Sequence, residues 1–269
     1  MLRIRDKNVL FMGKKLLPYL SFIGNEDFTL KTYNTTKNWD GTLEYSTDTT
    51  TWNTWNGTEI SSVNSKLYLR GTGNTRITGN SYNYSFEFTG TSTLKIACEG
   101  NIENLLDYET VSAGGHPTMA ENCYSYMFYG CTSLTTSPAL PATTLAVGCY
   151  NAMFGDCAAL TTAPALPATT LVANCYDYMF YGCASLTTAP ALPATTLVAN
   201  CYESMFLDCA KIKLSTTRTG EYQTAYRIPK SGTGTTATDA LMDMFSGTGG
   251  TFTGTPTINT TYYTSNAVV

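Results

Sequence analysis

ENCYSYMFYGCTSLTTSPALPATTLA, residues 121–146, returns as VGCYNAMFGDCAALTTAPALPATTLV at 147–172 and as ANCYDYMFYGCASLTTAPALPATTLV at 173–198. The period is 26 residues, and a fourth copy, ANCYESMFLDCAKIKLS, begins at Ala199 and then loses the pattern. Such self-similarity marks a chain of stacked units, each too small to bury its apolar face alone. Within one copy Leu145, Cys149, Met153 and Phe154 fall at i, i+4, i+8 and i+9, a spacing that predicts one face of a short helix ending near Gly130, Gly155 or Gly182. The LTTAPALPATT that follows holds two prolines, so it reads as a short strand and an extended turn. One strand and one short helix per repeat predict a leucine-rich-repeat solenoid, with Leu134, Leu140 and Leu145 in a shared core.

The string C-[TA]-[SA]-L-T-T-x-P-A-L-P-A-T-T-L-[AV]-x-x-C-Y-x-x-M-F, running over roughly Asn122 to Leu214, resembles the BspA-like leucine-rich repeats of gut and oral bacteria and of their phages. The resemblance implies a right-handed solenoid used for binding, in bacterial surface adhesins and in phage structural proteins. The chain departs from the family in its longer repeat and in reading LP where the family reads IP.

Upstream, FTLKT, TLEYS, KLYLR, YSFEF and TLKIA alternate or run apolar over about five residues, punctuated by glycines, which predicts a small antiparallel β-sandwich. The LEYSTDTTTW and KLYLRG order also resembles segments that precede repeat arrays in the same family. The expected fold class is therefore α+β: an N-terminal arm at 1–24, a β-sandwich-like domain at 25–97, a solenoid at 98–214, and a degenerate coil and cap at 215–269. Degenerate coils are read at CEGNIENLLDY (98–108) and at DALMDMFSGTGG (239–250). Residues 9–12 read as a short strand and LLPYLSFIG as an apolar arm needing a partner within or beyond the chain.

Candidate chemistry is sparse. The nine cysteines are Cys98 and four pairs spaced by eight residues, Cys123 and Cys131, Cys149 and Cys157, Cys175 and Cys183, Cys201 and Cys209. None forms the close hook of a metal site, so the repeat pairs read as buried thiols in a core ladder with Met127, Phe128, Met153, Phe154, Met179 and Phe180, although disulfides between coils stay open on geometry. His116, the only histidine, lies in SAGGHPT and reads as a solvated loop residue. Asp156, Asp177, Glu203 and Asp208 read as solvated helix positions. STDTTTW at 46–52 resembles an Asp-box hairpin in which Asp48 is a turn acceptor and Trp52 packs on the sheet. A sugar-stacking platform arises if Trp39, Trp52 or Trp55 is exposed beside Tyr33 or Tyr45. No catalytic, cofactor or metal residues are expected.

The 269 residues carry a net charge of -4 with 13% charged residues, no basic footprint for nucleic acid and no apolar run long enough to span a bilayer. Lys14 and Lys15 interrupt the apolar N-terminus, against a cleaved signal. The expected function is that of a non-catalytic bacteriophage virion subunit, a fibre, tail-tip or capsid decoration. Its partners would be other virion subunits or itself, in a homo-oligomer or larger assembly, and a host surface protein or glycan. The alternative is a bacterial cell-surface adhesin. Positions that vary between copies cluster on the expected helix, where Tyr126, Tyr129, Tyr178 and Tyr181 are the candidate binding surface.

Overall fold

The alternating segments upstream of the repeats pair into two sheets. In the computed structural model, which describes residues 10–11, 14–15, 17–232 and 239–269, one sheet runs in the order Leu134–Thr136, Ile96–Glu99, Leu20–Gly24, Lys66–Thr72, Thr42–Ser46 and Asn53–Trp55. Its first pair is parallel and the others antiparallel. The second sheet is Ile60–Ser61, Thr29–Thr32 and Phe86–Thr89, antiparallel throughout. In Lys66–Thr72, Leu67, Leu69 and Gly71 point inward in strict alternation, the period of a half-buried strand. The two sheets meet through Phe22 on Phe88, ring centroids 5.3 Å apart, and Trp55 on Phe86 at 5.4 Å.

The apolar segment before Asn25 finds its partner inside the chain. Leu20 and Phe22 are fully buried in the middle of the six-stranded sheet. Leu10–Phe11 pairs with Lys14–Lys15, while the rest of the expected strand at 9–12, residues 9 and 12, lies outside the described residues.

The expectation of an α+β leucine-rich-repeat solenoid with helical coils and degenerate caps does not hold. The chain is β-rich with several small separate sheets. Among the described residues the one α-helix is Asn104–Ser112, broken at Asp107, and it packs on Lys66–Thr72 ahead of the repeats. The physical reason lies in the backbone. Around the Cys-Tyr-x-x-Met-Phe segment of each copy every fourth residue has positive φ: Asn122, Tyr126 and Gly130; Gly148, Ala152 and Asp156; Asn174, Tyr178 and Gly182; Asn200, Ser204 and Asp208. A left-handed residue interrupts a right-handed helix, so the segment folds as successive four-residue turns. Over nine residues a period of four cannot be told from one of 3.6, which is why Leu145, Cys149 and Met153 look helical.

Alternate amides divide the labour. Ser125, Met127, Tyr129 and Cys131 donate to the carbonyl three residues earlier, closing the turns. Asn122, Tyr124, Tyr126, Phe128 and Gly130 instead donate to Val147, Cys149, Asn151, Met153 and Gly155 of the next copy. The next two copies repeat the five bonds, so the repeats stand in register as tiers. On the other side the prolines withhold donors, and little more than Leu134–Thr136, a bridge from Thr136 to Thr162, and the Thr135, Thr161 and Thr187 bonds link tiers there. No continuous parallel ladder forms.

The five intertier amides of each turn segment all point the same way, so their peptide dipoles add along the stack, while the Thr161 and Thr187 amides on the other side donate in the opposite sense. The exposed carbonyl end is covered by the N-terminal module: Ile77 N–H donates to Cys123 O, Thr78 Oγ1 to Ser125 O at 2.6 Å, and Phe86 N–H to Met127 O at 2.8 Å. At the other end residues 239–248 accept from Tyr202, Ser204, Phe206 and Asp208, and their own amides reach Thr255 Oγ1 and Gly254 O. One hydrophobic core runs from Leu20 to Tyr262 through both parts.

Candidate functional site

Two aromatic columns form the inside of the stack. Phe128, Phe154, Phe180, Phe206 and Phe245 lie nearly parallel with centroids 5.5–5.7 Å apart. Tyr124, Tyr150, Tyr176 and Tyr202 do the same at 5.7–5.9 Å. The tyrosine column was not read from the sequence, although a Cys-Tyr pair in every copy was its signal. Met127, Met153 and Met179 are buried beside the rings. Leu134 and Leu140 are buried and Leu145 is half-buried against the core.

The cysteines Cys123, Cys131, Cys149, Cys157, Cys175 and Cys183, like Cys98, Cys201 and Cys209, are buried free thiols. The second thiol of each repeat has a structural bond: Cys131, Cys157, Cys183 and Cys209 Sγ donate to the carbonyls of Phe86, Phe128, Phe154 and Phe180 at 2.9–3.1 Å. Desolvation pushes these thiols up, Cys209 to about 12, the opposite of a reactive cysteine. Among the described residues no group of three or more His, Cys, Asp or Glu side chains is placed to hold a metal ion.

The tyrosines expected on the outer face sit in edge-to-face pairs, Tyr126 with Tyr129 at 5.7 Å and Tyr178 with Tyr181 at 6.0 Å. All four are half-buried. The intervening tier carries Ala152 and Gly155 at these positions, and Tyr129 lies so close over Gly155 that a Cβ there would meet its Cδ2 at 2.8 Å. Burial, then the Asp156 carboxylate, pushes the Tyr129 phenol up to about 12. Tyr126 is raised by burial and then by Asp177 and Tyr178, two tiers on.

Tyr129 also lines a groove of about 610 Å³ where the N-terminal sheets meet the first tier. Tyr33 and Tyr82, each 54% exposed, stand there edge-to-face with centroids 6.1 Å apart. Both are fixed by backbone: Tyr33 N–H donates to Ser85 O at 2.9 Å, and Ser85 Oγ caps Tyr82 O at 2.7 Å. Ser85, Thr89, Thr91, Ser92, Thr132 and Ser133 supply hydroxyls. The loop carrying Thr91 is held by Glu26 Oε1, which accepts from Thr91 N and Oγ1. Glu87, the one acid among the described lining residues, pairs with Lys31 at 3.2 Å. Sequence reasoning named Tyr33 only as a neighbour for an exposed tryptophan and missed Tyr82, whose loop setting carries no periodic signal.

The tryptophans do not form that platform. Trp39 and Trp55 are buried and stacked at 5.2 Å. Trp52 is half-buried with the Arg70 guanidinium 4.0 Å over its ring. Asp48 accepts from the amides of Thr50 and Thr51, which hold its carboxyl well below the usual range. His116 has an exposed ring, but its Nδ1 meets both oxygens of the buried Glu103 carboxylate at 2.9 and 3.0 Å, a contact the sequence did not disclose. Asp177 is not solvated either: 7% exposed, it accepts from Asn151 Nδ2 through Oδ2 and leaves Oδ1 without a partner. Among the described residues no helix is long and apolar enough to cross a membrane. No family model, curated protein or solved structure matches the chain.

Proposed function

We propose that this chain is a non-catalytic attachment protein that binds neutral carbohydrate in the groove between its N-terminal sheets and its first repeat. The observation that carries this reading is the exposed, backbone-fixed pair Tyr33 and Tyr82 above a hydroxyl-rich wall. Amphipathic rings stack on the apolar faces of sugars while their rims share hydrogen bonds. The volume falls in the range of small-ligand sites, about 300–1,000 Å³. Among the described residues one acid and one lysine, Glu87 and Lys95, line the groove, so it favours neither anion nor cation. A single carboxylate already paired with Lys31 also favours binding over glycoside hydrolysis, which uses two facing acids. The likeness of the repeat strings to those of phage structural proteins supports a place on a virion, as a subunit that meets the host surface.

The test is a glycan array probed with the intact chain, followed by titration calorimetry on the best neutral oligosaccharide. Tyr33→Ala with Tyr82→Ala should weaken binding by about tenfold or more, as expected for central aromatic contacts. Unchanged affinity, or binding confined to charged glycans, would overturn the reading.

A further inference from the structure

The tyrosine pairs on the outer face recur on alternate tiers. Tier one carries Tyr126 and Tyr129, tier two Ala152 and Gly155, tier three Tyr178 and Tyr181, tier four Ser204 and Leu207. Flanking positions follow the same two-tier rhythm, Gly130 and Gly182 against Asp156 and Asp208. The invariant Cys, Tyr, Met and Phe positions build the core in every tier, so packing of the interior alone does not call for this alternation. The phenylalanine rings of successive tiers stand 5.6–5.7 Å apart, centroid to centroid, on backbones that direct hydrogen bonding sets about 4.8 Å apart. One such step is close to the advance of one pyranose in an extended β-linked chain. In such a chain alternate rings are turned over, so the same ring face returns every second residue, the rhythm at which the tyrosine pairs return.

We infer that the face carrying Tyr126, Tyr129, Tyr178 and Tyr181 is a track for an extended, neutral, β-linked polysaccharide lying along the stack, continuous with the groove at Tyr33 and Tyr82. Tyr129 belongs to both surfaces, which joins them without a gap. The Asp156 carboxylate adjoins the Tyr129 ring; it accepts from sugar hydroxyls and repels a polyanion. The small tier-two residues let Tyr129 spread along the stack over Gly155, giving the strip its length. This inference rests on the carbohydrate reading of the groove and adds polymer, linkage and direction to it.

The experiment measures calorimetric affinity for cello-, xylo-, manno- and chito-oligosaccharides of two, four and six units, with maltohexaose and a hyaluronan hexamer as controls. The key variant is Tyr178→Ser with Tyr181→Leu, which gives tier three the residues that tier four already carries at φ +49 and in the same turn, so the fold accepts them. Affinity in one β-linked series should rise from two to six units. The double variant should lose roughly tenfold on the hexamer and nothing on the dimer, whereas loss of Tyr33 and Tyr82 should weaken every length. If the hexamer binds no better than the dimer, or the tier-three variant binds it as well as the parent chain, the track is refuted and the groove reading survives. Equal binding of maltohexaose refutes the linkage, and preference for hyaluronan refutes a neutral ligand. Failure of every oligosaccharide removes both readings.

Discussion

The thiol of Cys157 donates to the carbonyl oxygen of Phe128, 29 positions earlier, at 3.0 Å. Phe128 O already accepts the amide of Cys131 within its own tier, so the cysteine supplies a second donor from the tier above. The thiol is used as a hydrogen-bonding group inside the core, which requires it to stay protonated. Nine buried thiols should therefore resist alkylation in the native protein and all label once it is denatured without reductant, read by mass spectrometry. Peptides joined through Cys149 and Cys175 would contradict this. Burial pushes Cys149 to about 12, so raising the pH to 9 should not by itself expose the native thiols to reagent.

A residue that follows a glycine rule in one tier breaks it in the next, and the structure says why. Gly130 and Gly182 occupy equivalent positions at φ +73 and +68. A Cβ on Gly130 would meet nothing within 4 Å, whereas one on Gly182 would run into the carboxylate of Asp156 in the tier before. Gly130→Ala should cost about 1–2 kcal/mol, the penalty of a left-handed alanine. Gly182→Ala should cost more, and the excess should vanish in the background Asp156→Gly, which copies the residue at 130. Denaturant titration of the four proteins gives the coupling directly; an excess that persists without Asp156 would show that the carboxylate is not the obstacle.

How much of this was legible follows from the same residues. The 26-residue period, the buried Cys, Met and Phe positions and the strand character of FTLKT, TLEYS and KLYLR lie in local patterns, and patterns of that kind are set by burial alone. The turn architecture was not legible, because Tyr126, Ala152, Tyr178 and Ser204 are residues that rarely adopt positive φ and nothing in their identity announces it. They are held there by the intertier bond that each amide makes. Asn122 with Gly130, Gly148 with Asp156, and Asn174 with Gly182 did carry the signal, at a spacing of eight, but the apolar spacing outweighed it. The groove at Tyr33 and Tyr82 joins residues far apart in sequence with Ser133 and Tyr129, a juxtaposition that only the tertiary fold makes.

Asp177 ties the stack to pH. Its side chain is 7% exposed, Asn151 Nδ2 reaches only one oxygen, and Glu203 stands in the following tier. Burial first, and the Glu203 charge second, raise its pKa from 3.8 to about 7, against a smaller lowering by Asn151. Other charges near the pair are Asp239 and Asp243, which raise Glu203 in turn after its own burial. The folded state therefore holds a proton that the unfolded chain has released, and stability falls as pH rises from about 4 to about 7, by roughly 1.4 kcal/mol for each unit of pKa difference. Below that window both states are protonated and the group is neutral in effect; above it the loss is complete. Asp177→Asn replaces the carboxyl with an amide of the same shape that cannot ionise. It should match the parent chain near pH 4 and exceed it by a few kcal/mol at pH 8 in urea titrations, within the additivity expected of one site. A parent chain whose stability relative to Asp177→Asn is flat from pH 4 to 8 would show that Asp177 is ionised in the fold and that its free oxygen is met by a partner from solvent.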